Sequence, residues 1–214
     1  MDYQVLGRAT SSNVQALLWG MEEMGLPYER LDYGENHGGL DSDDFRALNP
    51  HGKIPVLKFG GTALFDSAAI LRFLAGQHGS AAFWPDDPVA RAHVDMWAEW
   101  AKHEVAEGFT GPVFWRVVRT PLVRHDVEAI GAAVDNLERE LALAEEQLTR
   151  HEYLCGEAFT LADVQLGHVL YRYFDIDISR REMPALHGYY NRLTTRPAYQ
   201  KVVMVSYEAL RNTV

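Results

Sequence analysis

Apolar and polar positions along this chain follow two regimes. Up to about residue 79, short runs of period two alternate with runs spaced by three and four; beyond about residue 88 only the helical period recurs. Tyr3–Leu6 reads as a short strand. Val14, Leu17, Leu18, Met21 and Met24 recur at helical spacing, and Gly25-Leu26-Pro27 stops that helix. Tyr28–Tyr33 alternates as a strand does, and Asp41–Leu48 predicts a short helix. A strand entered through Ile54-Pro55 follows, then a hairpin at Gly60-Gly61 and a second strand at Thr62–Phe65. A helix opens at Asp66-Ser67 and runs through Ala69, Ile70, Phe73 and Leu74.

The resulting order, β-α-β-α-β-β-α, sets a parallel unit before an antiparallel hairpin, which is the thioredoxin-like arrangement. Ser80–Pro88 carries turn residues and two prolines and reads as a linker. After it, Val127, Ile130, Val134, Leu137, Leu141, Ala144 and Leu148 form one apolar stripe down a long helix. Phe159-Thr160-Leu-Ala-Asp163-Val164 reads as a helix start, with Thr160 and Asp163 as a capping box and Phe159 stapling onto Val164. The expected fold class is therefore α/β plus all-α: a thioredoxin-like domain over residues 1–79, a linker over 80–87, and an all-helical bundle over 88–214.

Composition narrows the function. A hydrophobic share of 47% and a charged share of 23% are those of an ordinary globule. The net charge of −10 argues against nucleic acid, which needs clustered Lys and Arg. No run approaches the roughly 18 apolar residues of a membrane span, and no basic-then-apolar leader precedes Tyr3, so neither a membrane nor a secretory signal is expected. A single cysteine, Cys155, excludes an internal disulfide and fits a reducing cytoplasm.

The densest chemistry lies between Asn49 and Ser67. A proline at a strand start has no amide to donate, so it sits at an edge or in a special bond. A cis Ile54-Pro55 bond would turn the Ile54 backbone outward, where an extended peptide pairs with it as an added strand. Asp66 and Ser67 stand where helix amides are unpaired, which suits the charged end groups of a ligand, although both residue types also cap helices with no ligand at all. Together these residues point to a peptide-like ligand and away from a nucleotide.

With those residues in view, the chain resembles the cytosolic glutathione transferases, of the bacterial, serine-type, theta/beta-like kind. The resemblance spans nearly the whole length. It is carried by Thr10-Ser11-Ser12-Asn13-Val14, Asn49-Pro50 with Ile54-Pro55, Asp66-Ser67, and Phe159-Thr160 with Asp163, in that order and with a linker between halves. It implies glutathione as co-substrate, with the Ile54 backbone pairing the cysteinyl part, Asp66 and Ser67 holding the γ-glutamyl end, and Lys53 meeting the glycyl carboxylate. It also implies a small hydrophobic electrophile held mainly by the helical domain, a cytoplasmic location, and a two-fold homodimer. Arg72 and the helix start near Arg91 are the candidate interface residues.

Activating the glutathione thiol by about two pKa units requires roughly 2.7 kcal/mol of anion stabilisation. A hydroxyl donor beside the positive end of a helix can provide much of it. The turn before the first helix offers Thr10, Ser11 and Ser12. On the resemblance, Ser11 falls on the catalytic serine and Asn13 where some bacterial members bring an amide to the sulfur. Ser12 is the second choice for the sulfur contact; the alternative without a ligand is that Ser11 or Ser12 simply caps the helix, and one hydroxyl can cap while its neighbour faces the ligand. No cysteine stands in this turn, so mixed-disulfide chemistry and the cysteine-type classes are not expected. Asn13 likewise breaks the Ser-Ser-Cys motif of the maleylacetoacetate isomerase class. A glutathione-dependent peroxidase, a dehalogenating lyase and a non-catalytic binding protein remain open on the same scaffold.

Other motifs lead elsewhere and stop. Gly52-Lys53 lacks the first glycine of a phosphate loop, because position 47 is Ala. His103-Glu104 lacks the second His of a zinc helix, and the histidines show no ligating pair, so no metal is expected. Of Trp97, Trp100, Phe109, Phe114 and Trp115, most are expected in the core and a few against the co-substrate.

Overall fold

The computed structural model describes residues 2–214; Met1 lies outside the described residues. The first half runs β1 (Tyr3–Leu6), α1 (Ser12–Glu23), β2 (Tyr28–Leu31), α2 (Asp43–Leu48), β3 (Val56–Phe59), β4 (Thr62–Phe65) and α3 (Ser67–His78). The strands form one sheet in the order β2-β1-β3-β4, with β1 parallel to β2 and antiparallel to β3, and β3 antiparallel to β4. This is the thioredoxin-like order expected from the sequence.

The period of two decides which face each strand residue serves. Val5 and Leu57 enter the main core with α1 and α3, while Leu6 and Val56 face the other way and pack with Phe45 of α2. Shifting either strand by one residue would exchange the two sets, so the register is fixed by burial.

The second half is all helix. α4 (Pro88–Trp100) opens on an Asp87 cap that accepts the Val89 and Ala90 amides, with Pro88 in its first turn. The helical path continues through wide π-type turns at Ala101–Ala106, the short α5 (Glu107–Phe109), and π-type turns again at Thr110–Arg119. Pro112 lies in this last stretch, where it has no amide to give to the preceding turn. Then follow α6 (Val127–Leu148), α7 (Leu161–Asp175), α8 (Pro184–Thr194) and α9 (Pro197–Val202).

The stripe predicted for α6 is buried from Val134 to Leu148, but Val127 at its head is exposed. The start of α7 goes beyond the predicted box. The buried Asp163 carboxylate accepts from the Thr160 amide (2.8 Å) and hydroxyl (2.9 Å), from the Leu154 amide (3.0 Å) and from the Tyr189 hydroxyl (3.0 Å). Burial raises its pKa, while these donors favour the charged form.

Residues 80–87 are a connection whose aromatics are core. Phe83 and Trp84 are both buried, and the Phe83 carbonyl accepts the Leu161 amide at 3.2 Å. The halves also meet through α1 and α7. Trp19 packs edge-on to Tyr199 at 4.7 Å and tilted against Phe159 at 5.4 Å. At Gly167 a Cβ would stand 2.6–2.8 Å from Leu193 and Trp19, so only glycine admits this approach. Arg196 closes the seam with two bonds to Glu23, each 2.7 Å. Arg72 binds Asp95 at 2.6 Å and also Glu99, and Arg91 donates to the Pro85 carbonyl at 2.7 Å. Both arginines considered for an interface between copies are therefore engaged within the chain.

Candidate functional site

Three loops leave the sheet at one end. Leu6 of β1 pairs with Val56 of β3, and Val56 pairs with Phe65 of β4. The turn to Ser11 follows Leu6, the Ile54-Pro55 step precedes Val56, and Asp66 follows Phe65. Sheet register thus brings the sequence-predicted residues to one edge. Gly7 makes the first turn possible: its φ is +156°, and a Cβ there would stand 2.5 Å from Val14 and 3.2 Å from the Ile54 Cβ.

The Arg8–Ser11 turn has every carbonyl occupied. Arg8 accepts from the Ser11 amide (3.1 Å), Ala9 from the buried Gln15 side chain (2.9 Å), Thr10 from Arg172 of α7 (2.8 Å), and Ser11 from the Gln15 amide (2.9 Å). Ser11 is the N-cap residue of α1, yet its hydroxyl makes no capping bond. Ser12 is the first residue of the helix, so of the two serines that could cap it Ser11 holds the cap position. The turn is fixed by its backbone and by two side chains from elsewhere, which leaves the Ser11 hydroxyl unspent at the positive end of the helix. Asn13 is exposed one position further on.

The Ile54-Pro55 bond is cis, as expected. Ahead of it, buried Asn49 donates to the Lys53 carbonyl at 2.7 Å and accepts the His51 amide at 3.0 Å. Those bonds shape the loop so that the half-buried Ile54 precedes the strand and the Lys53 side chain stands in solvent.

Asp66 caps α3 from a left-handed conformation (φ +69°), with Oδ1 accepting the Ala68 and Ala69 amides at 3.0 and 3.1 Å. Ser67 beside it is buried. Sequence reasoning missed the third member of this group: Lys102, in the first π-type stretch, places Nζ 3.0 and 2.8 Å from the two Asp66 oxygens. No local motif announces Lys102, since its partner lies 36 residues away. Burial raises the Asp66 pKa, but the Lys102 ammonium and the helix amides outweigh it and hold the carboxyl below its ordinary value.

The helical half faces this edge with a mixed surface. Phe109 and Phe114 are core, Trp97 and Trp100 are half-buried, and Trp115 is 47% exposed with the Arg119 guanidinium 5.2 Å above its ring. Arg119 reaches Glu35 at 2.9 Å, and Glu35 also pairs with Arg8 at 3.1 Å. A line of charge thus runs from the helical half to the Ser11 turn. Cys155 is half-buried and its thiol is pushed up to about 12, by burial first and then by Asp163, so it is no nucleophile at neutral pH. Among the described residues no group of three His, Cys, Asp or Glu side chains gathers around a common point, and no helix is long and apolar enough to cross a membrane.

Comparison with known proteins meets the same residues. The glutathione S-transferase N-terminal domain family matches residues 10–77, and the glutathione S-transferase C-terminal domain family matches residues 112–197. The chain is 34% identical over 201 residues to glutathione S-transferase GstB of Escherichia coli, covering 93% of this chain and 96% of that protein. It is 31% identical over 209 residues to glutathione S-transferase 3 of Zea mays, covering 94% and 92%. Among solved structures, the theta class glutathione S-transferase of Xanthomonas axonopodis pv. citri with glutathione bound superposes with a TM-score of 0.90 at 40% identity, over 95% of this chain and 98% of that one.

Proposed function

Because this chain belongs to the glutathione S-transferase family and has its glutathione-binding transferase activity, we propose that the Ser11 hydroxyl holds the glutathione thiolate for attack on an electrophile. The observation that carries this is the unspent hydroxyl: Ser11 occupies the N-cap position while its backbone and Gln15 hold the turn. A donor so placed lowers the thiol pKa through one hydrogen bond and the helix end. The rest of the tripeptide follows the sheet edge. The cis step presents Ile54 to the cysteinyl backbone, Lys53 meets the glycyl carboxylate, and Asp66 with Ser67 holds the γ-glutamyl end. Asn13 stands next to the sulfur position as a second polar contact.

In this reading residues 1–79 bind glutathione, residues 80–87 connect, and residues 88–214 supply the face for the co-substrate. That co-substrate is a small hydrophobic electrophile lying against Trp115, the one exposed ring of the aromatic group singled out in the sequence. Thiolate attack forms the carbon–sulfur bond as the leaving group departs or an epoxide opens. The working protein is a cytoplasmic homodimer, and exposed Phe65, Val89 and Met96 are apolar surface available to a second copy.

The test is the titration of bound glutathione by its thiolate absorbance. Ser11→Ala is expected to keep glutathione affinity nearly intact, raise the bound thiol pKa by about a unit or more, and cut turnover near neutral pH at least several-fold. Ser12→Ala is expected to change stability by less than about 0.5 kcal/mol, since it makes no cap bond. A silent Ser11→Ala beside a crippled Ser12→Ala or Asn13→Ala would move the assignment along the turn. A panel of aryl halides, epoxides and hydroperoxides then identifies the co-substrate.

A further inference from the structure

Arg172 is a cation with no anion. It lies on α7, its residue is 3% exposed, and it forms no ion pair with a carboxylate among the described residues. Its guanidinium lies beside an edge-to-face aromatic pair, 4.8 Å from the Phe114 centroid and 5.8 Å from that of Tyr207. One nitrogen donates to the Thr10 carbonyl at 2.8 Å, and its Nε is buried with no partner. Removing a guanidinium from water without a counter-charge is costly, and aromatic faces recover only part of that cost.

The surroundings deepen the excess. Arg8 follows β1 and has its own buried Nε without a partner. Among the described residues Glu35 is the only carboxylate it pairs with, and Glu35 is shared with Arg119. Of the three guanidiniums around this turn, Arg8 and Arg119 share the one carboxylate Glu35, and Arg172 pairs with none among the described residues. The other titratable groups facing Arg172 are Tyr171 on its own helix and Tyr207, whose hydroxyl donates to Asp175. His168, one turn earlier on α7, is buried, and burial drives its pKa down to about 4, so it is neutral at pH 7. None of these supplies a negative charge directly opposite Arg172.

We propose that Arg172 is a positioning residue for thiol activation: it fixes the Thr10 carbonyl that sets the Ser11 turn, and its unmatched charge favours the anionic sulfur of bound glutathione. The inference rests on the assignment of Ser11 as the residue at the sulfur. The anion missing from the fold arrives with the ligand, as the thiol releases its proton to solvent. Burial strengthens the attraction, because the field of a guanidinium in a low-dielectric interior is screened far less than at the surface. Arg172 comes from the helical half, so the thiol is tuned across the domain seam.

Charge and hydrogen bonding separate in two substitutions. Arg172→Gln keeps a donor for Thr10 and loses the charge; Arg172→Lys keeps the charge and loses the fork. Bound glutathione is titrated by thiolate absorbance in the intact protein, with its affinity measured by calorimetry. Arg172→Gln is expected to raise the bound thiol pKa by about a unit, a tenfold loss of thiolate at a fixed pH below it, while affinity for the thiol form changes less than about threefold. Arg172→Lys is expected to stay within about half a unit of the parent. If Arg172→Gln does not fold, Arg8→Gln reads the same charge cluster and is expected to shift the pKa in the same direction. Parental titration in whichever of these glutamine variants folds overturns the proposal, and so does an equal shift in Arg172→Lys and Arg172→Gln, which would leave hydrogen-bond geometry as the whole effect. Should Ser11→Ala itself leave the titration untouched, the Ser11 assignment fails; a shift in Ser11→Ala without one in the glutamine variants defeats the Arg172 proposal alone.

Discussion

Asp66 does two jobs with one carboxylate. Its Oδ1 closes the N-terminus of α3, both oxygens accept from Lys102, and the same carboxylate is the group proposed for the γ-glutamyl ammonium. Asp66→Asn keeps an acceptor for the Ala68 and Ala69 amides while removing the charge. It is expected to leave the fold intact and weaken glutathione binding by about 1.5–3 kcal/mol, the loss of a charge-assisted hydrogen bond. Calorimetry on the folded variant with unchanged affinity would remove Asp66 from the site. Cys155 makes the complementary point by inaction, for its raised thiol pKa leaves glutathione as the sulfur nucleophile.

At the level of elements, two helices of the second half hold parts of the first. The π-type stretch after α4 carries Lys102 to Asp66, and the sign of that coupling follows from the carboxyl pKa. Asp66 is held below the ordinary carboxylate value, so its contribution to stability is complete above the unfolded pKa of about 4 and is lost as pH falls through the lower folded value. Lys102→Met is expected to reduce unfolding stability at pH 7, with the gap to the parent closing below about pH 4. Denaturant curves that show a constant gap across that range would show that the pair does not stabilise the fold. Helix α7 depends on Asp163 in a different way. Asp163→Ala strands the Leu154 and Thr160 amides and the Tyr189 hydroxyl in the interior. A loss of about 3 kcal/mol or more is expected in the same measurement, while a loss under about 1 kcal/mol would mean that water replaces the carboxylate.

For the whole molecule, the seam between halves joins the helical half to the site proposed for glutathione. Phe83 and Trp84 fill it, Arg196 and Glu23 tie it, and Arg172 and Lys102 reach across it to the Thr10 carbonyl and to Asp66. A second copy is expected to cover the exposed Phe65 and Met96, so Phe65→Glu combined with Met96→Glu should shift sedimentation toward the 24.2 kDa monomer. A parent that already sediments as a monomer at micromolar concentration would reject the dimer. The residues themselves determined the strand and helix order, the strand entry at Ile54-Pro55, the Asp66 cap and the Thr160–Asp163 box. Each of these is written in spacing, turn chemistry or a side chain reaching within a few residues, and such signals survive in one dimension. Only tertiary structure decided that Ser11 keeps its hydroxyl free while Ser12 does not cap, because that depends on Gln15 and Arg172 holding the turn. Tertiary structure likewise joined Arg72 to Asp95 and Glu99 and placed Lys102 on Asp66. Those pairings join residues far apart in sequence, or rest on which rotamer the packing allows, and no local periodicity encodes them.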